Sequence, residues 1–182
     1  MAILGRRSIS MIFISGIHGV GKSYFCKKLK EITGIESYTS SSLIEQKKKV
    51  SFSIDKKIID IGDNQNYLLM AVEELKAKTS FFVLDGHFCL LNIDGMITRI
   101  PEQTFLDLKP EAIVLLAEKA EIIAERRRKR DGIEIDLEIT RRFQEAECVY
   151  AKEIAMKLGV PIKISKGAED VLSTIEFIMK QR

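Results

Sequence analysis

The chain has 182 residues, 46% hydrophobic and 30% charged, with three prolines and eleven glycines. That length is about one domain's worth, and the aliphatic content excludes a disordered or low-complexity chain. Lysine and arginine total 29 against 26 acidic residues, a net charge of +3, which excludes a generally basic nucleic-acid or membrane binder but leaves local clusters open.

The first ten residues precede any strand pattern and are expected to fray. Arg6-Arg7 ahead of an apolar stretch faintly resembles a twin-arginine signal, but the stretch is too short and meets His18 and Lys22. Residues 11–15 (MIFIS) read as a buried strand opening onto glycines, and 23–32 as a helix ending at Thr33-Gly34. A second strand is predicted at 36–39, a serine-capped short helix at 42–49, and a longer helix at 64–78. Residues 81–84 (FFVL) are the clearest buried strand and end on Asp85. Two short runs, 88–91 and 96–100, flank Asn92-Ile93-Asp94-Gly95 as a hairpin, and Pro101 opens a short helix to Leu108.

A further strand is predicted at 112–116, followed by a charged helix from about 118 to 129. Residues 137–158 carry apolar side chains at 139, 143, 146, 150 and 154, a long amphipathic helix stopped by Gly159. The last strand falls at 160–164 and the last helix at 168–180. Short β-rich runs alternating with helices predict one α/β domain over 1–182, three layers around about five parallel strands.

Cys26, Cys89 and Cys148 are odd in number, widely spaced and without a CxxC, so they read as reduced core thiols of a cytoplasmic protein. No segment approaches 18 apolar residues, and no membrane span is expected.

Residues 16–23 read Gly-Ile-His-Gly-Val-Gly-Lys-Ser, a complete GxxxxGK[ST] loop between an apolar strand and a helix. Gly16, Gly19 and Gly21 permit a tight turn in which successive backbone N–H groups converge on phosphate oxygens. Lys22 supplies a mobile charge for the β- and γ-phosphates of ATP, and Ser23 a hydroxyl for Mg²⁺. The nucleotide-holding window comprises Gly16, Ile17, His18, Gly19, Val20, Gly21, Lys22, Ser23 and Tyr24, with His18 read as a tolerant loop position. Asp85 ends a strand at the edge where α/β sheets gather ligands, placed to hold Mg²⁺ with Ser23 or else to cap its loop. His87 reads either as an acceptor contact or as a loop residue. Six of the ten arginines lie between 126 and 142. Arg126 and Arg130 are i,i+4, on one helix face, and guanidinium forks match phosphate geometry. Asp131, Glu134, Asp136 and Glu138 dilute the charge of this window, which favours a phosphate clamp over a nucleic-acid patch.

Taken together, these stretches resemble the adenylate kinase-like nucleotide kinases, a phosphate-loop NTPase family, in its compact archaeal form. The likeness runs through ISGIHGVGKS, FFVLDGHF, GMITRIPEQTFLDLKPEAIVLL, EIIAERRRKRD and EITRRFQEAE. It implies a five-stranded parallel sheet, an acceptor-binding helical region at about 40–80, and a short lid at about 126–136. It further implies that Arg126 and Arg130 contact ATP phosphates, that Arg142 bridges donor and acceptor, and that Asp85 organises Mg²⁺. One departure stands out: no arginine occurs between Arg7 and Arg99, Glu45 stands where the bacterial pattern has one, and the cations of 40–80 are lysines at 47–49, 56, 57, 76 and 78. Lysine neutralises a phosphate without gripping it bidentately.

The expected function is therefore transfer of the γ-phosphoryl of Mg·ATP to a small acceptor, with a nucleoside monophosphate the acceptor implied by the resemblance. A kinase for another small metabolite is an alternative. So is an ATP-dependent switch or assembly factor with a protein or RNA partner, in which Lys47-Lys48-Lys49 would form a contact surface.

Overall fold

The computed structural model describes residues 10–54, 64–92, 94–132 and 134–182. The first apolar run forms β1 (Ser10–Ser15), followed by α1 (Lys22–Thr33), β2 (Ser37–Thr39), α2 (Ser40–Ile54) and α3 (Asn64–Lys78). Strand β3 (Phe81–Asp85) leads into β4 (Cys89–Leu91) and β5 (Ile97–Arg99), an antiparallel hairpin, then α4 (Glu102–Leu108) and β6 (Ala112–Ala117). Next come α5 (Ala120–Asp131), α6 (Leu137–Leu158), β7 (Ile162–Lys166) and α7 (Val171–Met179). Residues 1–9, most of the stretch expected to fray, lie outside the described residues, as do Lys56, Lys57 and Ile93 of the hairpin turn. Ser10 already belongs to β1.

Five strands form a parallel sheet in the order β2-β3-β1-β6-β7, which establishes the expected α/β architecture. From β1 the chain moves to one side for β2 and β3, then crosses back for β6 and β7. The strand carrying the glycine-rich loop therefore sits at the point where the direction of winding reverses, where ligands bind in such sheets. Register brings the functional ends together: Ile14 and Thr39 both pair with Asp85, and Ser15 pairs with Leu115. Every residue of β1 is buried, as an apolar strand covered on both faces must be.

Phe13 projects into a cluster with Phe88 and Phe105, ring centroids 5.1 and 5.5 Å away and edge-on. Tyr150 of α6 closes this cluster and donates its hydroxyl to the Ile100 carbonyl at 2.8 Å. Arg99 stacks 4.4 Å from the Tyr150 ring centre and forks onto Glu153, fastening the β4–β5 hairpin to α6.

Several boundaries shift for local reasons. Helix α2 starts at Ser40 because Thr39 already accepts the Ser42 N–H on its hydroxyl, 3.3 Å. Helix α5 starts at Ala120, since the N–H groups of Glu118 and Lys119 are taken by Gln144 and by the Glu118 carboxylate. Strand β7 starts two residues late because the Val160 N–H closes α6 on the Ala155 carbonyl and Pro161 has none. The last helix is split by a 3-10 turn at Ala168–Asp170.

The three cysteines are free; Cys26 and Cys89 are buried and Cys148 partly so. Burial raises the Cys26 thiol to about 11 and Cys89 to about 12, so both stay protonated. Among the described residues no helix is long and apolar enough to cross a membrane.

Gly86 follows Asp85 with no room for a side chain: a Cβ there would lie 2.7 Å from the Phe13 ring and 2.9 Å from the Ser40 hydroxyl. Gly86→Ala is expected to lose roughly 1–3 kcal/mol through overpacking. Denaturant unfolding checks this, and an unchanged midpoint would mean that Phe13 yields freely.

Candidate active site

The loop after β1 is shaped by its glycines. A Cβ on Gly16 (φ 149°) would meet the Leu116 carbonyl at 2.7 Å, and one on Gly19 (φ 88°) the Arg127 side chain at 2.6 Å. Helix α1 opens at Lys22 with no side-chain cap and no acidic residue in its first turn. Its leading N–H groups and positive dipole end thus face the loop uncompeted, the standard arrangement for an anion.

Lys22 and Asp85 are each only 9% exposed. The ammonium donates to the Gly16 carbonyl, lies 3.7 Å from Asp85 Oδ1 and 3.3 Å from His87 Nε2. Burial pulls Lys22 below its ordinary range and pushes Asp85 above its own, each against the attraction of the other. His18 packs on His87 with ring centres 4.6 Å apart. Burial, then Lys22 and His18, lower His87 to about 3, so it is neutral. Burial, then Lys22 and the nearby arginines, lower His18 as well.

Behind them stands Glu147, wholly buried on α6. Its carboxylate accepts the Ser15 hydroxyl and the backbone N–H groups of Phe88 (2.9 Å) and Cys89 (2.6 Å). One side chain so joins the end of β1 to the turn that carries His87, whose Nδ1 lies 4.0 Å from Glu147. Sequence reasoning missed this residue, although a signal existed: Glu147 falls four after Phe143 and three before Tyr150, on the apolar stripe of α6.

A cleft of about 550 Å³ runs from the loop into the space walled by α2, α3 and α4. Of the expected site residues, Ile17, His18, Gly19, Gly21, Lys22, Ser23, Tyr24, Asp85, Arg126 and Arg130 line it. Gly16 and Val20 contribute through their carbonyls, which accept from Lys22 and, at 2.9 Å, from Arg126. Arg126 also reaches Glu118 at 3.3 Å, and Arg130 forks onto Asp131 at 2.6 and 2.8 Å. Arg127, not singled out beforehand, lays its stem over Gly19. Arg142 is exposed on α6 and is not among the residues lining the cleft. The segment expected as a lid is largely the last turns of α5 plus the connection to α6.

A second cavity of about 360 Å³ opens on the far side of Arg126, between Tyr24 and Phe25 of α1, Ala117 at the end of β6, and Gly167 and Ala168 after β7. Among the described residues no group of three or more His, Cys, Asp or Glu is placed to hold a metal unaided.

Sheet order and loop define a phosphate-loop kinase fold. The AAA domain family matches residues 15–139, and the chain belongs to that family. No curated protein sequence matches the chain. Solved structures share the fold at low identity. Shikimate kinase from Acinetobacter baumannii in complex with shikimate is 16% identical, with 97% and 96% of the two chains covered and a TM-score of 0.60. A gluconokinase from Sinorhizobium meliloti 1021 is 16% identical, covering 97% and 93%, with a TM-score of 0.54. An uncharacterized protein from Eubacterium ventriosum ATCC 27560 is 16% identical over 94% and 96%, with a TM-score of 0.53. The comparisons reach this shared kinase fold and do not single out the adenylate kinases.

Two outcomes follow from the buried groups. Glu147→Ala leaves three buried donors without an acceptor and is expected to cost roughly 3 kcal/mol or more, read by denaturant unfolding. His87 takes no proton in the folded protein above about pH 3, whereas the unfolded chain takes one near its ordinary 6.5. The unfolded state therefore binds more protons below 6.5, and stability falls as pH drops, by about 1.4 kcal/mol per unit. Between pH 6.5 and 5 the unmodified protein is expected to lose about 2 kcal/mol more than His87→Asn. His18, Lys22, Asp85 and Glu147 are common to both proteins, so equal losses would contradict a buried neutral His87.

Proposed function

We propose that the protein is an ATP-dependent phosphotransferase that acts on a small hydroxyl-bearing molecule. The observation that carries this reading is the continuity of the cleft. Lys22 and Asp85 stand where the phosphate loop opens into a walled chamber big enough for a second substrate. A simple nucleotide switch has no use for such a chamber.

In this reading the triphosphate of ATP lies along the N–H groups of the loop and the start of α1. Its base occupies the second cavity, between Tyr24 and the turn at Gly167, with Arg126 between base and phosphates. Lys22 exchanges its contacts with Gly16, His87 and Asp85 for the β- and γ-phosphate oxygens. Arg126 and Arg130 supply positive charge where the transferred group spreads its own. The hydroxyl of Ser23 and the carboxylate of Asp85 are hard oxygen donors that fit Mg²⁺ completed by phosphates and water. The ion would neutralise charge building on the phosphoryl oxygens. Walls on α2, α3 and α4 keep bulk water from competing with the acceptor hydroxyl.

The resemblance to adenylate kinase-like enzymes supports a nucleoside monophosphate as acceptor. The fold shared with shikimate kinase and gluconokinase supports small molecules of other kinds equally well. ADP formation should rise when the right acceptor is added to protein, ATP and Mg²⁺. Lys22→Ala should lower kcat by roughly two to three orders of magnitude, as loss of a transition-state donor does. ADP formation indifferent to every acceptor but abolished by Lys22→Ala would instead make the protein an ATPase.

A further inference from the structure

The charges of the cleft are gathered at one end. Its described cations, Lys22, Arg126 and Arg130, all belong to the phosphate-loop side, and each already has partners there. None of Lys47, Lys48, Lys49, Lys76 or Lys78 lines it. Lys47 is turned to Glu74, Lys49 to Glu45, and Lys76 to Glu73 and the Leu108 carbonyl.

What lines the acceptor half among the described residues is uncharged. Ser40, Ser41, Asn64, Gln65 and Thr104 supply hydroxyls and amides over a floor that includes Leu68 and Phe105. Ser40 is tied to the Asp85 carbonyl at 3.0 Å. Asn64, at the start of α3, has a buried side-chain oxygen with no hydrogen-bond partner among the described residues. A buried carbonyl of this kind needs a donor. Among the described residues the one carboxylate lining the chamber is Asp85. Among the described residues of this half an anionic acceptor would find no free cation, an unfavourable burial.

We infer that the acceptor is an uncharged alcohol with an apolar body, which donates a hydrogen bond to Asn64. This inference rests on the phosphotransferase reading. In the reaction the acceptor oxygen bonds to the γ-phosphorus as the bond from that phosphorus to the β–γ bridging oxygen breaks. ADP leaves, and the hydroxyl proton passes to water.

The test is ADP release with ATP and Mg²⁺ over a paired panel. Adenosine, uridine and pyridoxine represent neutral alcohols; AMP, UMP, shikimate and gluconate represent anions. At least one neutral compound should raise ADP release tenfold or more over the acceptor-free rate, with kcat/KM at least tenfold above any anion. Asn64→Leu should raise the KM for that compound about tenfold while the KM for ATP stays unchanged. Turnover confined to anions, turnover of no neutral compound, or an acceptor KM indifferent to Asn64→Leu overturns the inference. Should every compound fail and Lys22→Ala leave ATP turnover unchanged, it is the phosphotransferase reading that falls.

Discussion

A single buried carboxylate holds the working parts of this protein in place. Glu147 reaches from α6 through the aromatic layer to take a hydroxyl from the last residue of β1 and two N–H groups from the turn after β3. Those two chain segments carry the phosphate loop and the Asp85–His87 stretch respectively. Without a common acceptor the Ser15 hydroxyl and the two backbone N–H groups would be stranded in an apolar interior, far from water. The distances among Lys22, Asp85 and His87 are consequences of this one anchorage as much as of sheet register. Burial holds the Glu147 carboxyl above its ordinary range, against the lowering effect of its three hydrogen bonds and of Lys22.

The site is polarised along its length. At the loop end, helix dipole, lysine and arginines concentrate positive potential in a partly dry space, where charges act more strongly than in water. At the other end the described wall is amides, hydroxyls and aromatic edges. Asp85 marks the boundary between the two, at the C-terminal edge of the central strands.

Most of the architecture was legible in the sequence because it rests on short-range patterns. Apolar runs of four or five residues announced β1, β3 and β6, and the αL glycines Gly34 and Gly159 closed α1 and α6 where expected. The phosphate loop was legible for the same reason, since its chemistry is contiguous. Glu147 was not, because its meaning lies in partners 132 and 59 positions away. Nor was the direction of Lys47, Lys49 and Lys76, which depends on how α2 and α3 pack. Boundary errors at α2, α5 and β7 came from side-chain and proline effects that compete with the helix or ladder for a single N–H. Arg142, whose sequence neighbourhood resembles a phosphate-contacting one, is exposed and does not line the cleft.

The position of Arg126 and Arg130 on one unbroken helix has a mechanical implication. Four residues of α-helix rise about 6 Å, so the two guanidinium groups are carried by adjacent turns of the same rod. A loop-borne pair could approach a ligand one at a time. This pair cannot, because any tilt or slide of α5 moves both anchors together. Under the proposed phosphotransferase reading, positive charge from both would therefore reach the nucleotide in a single step.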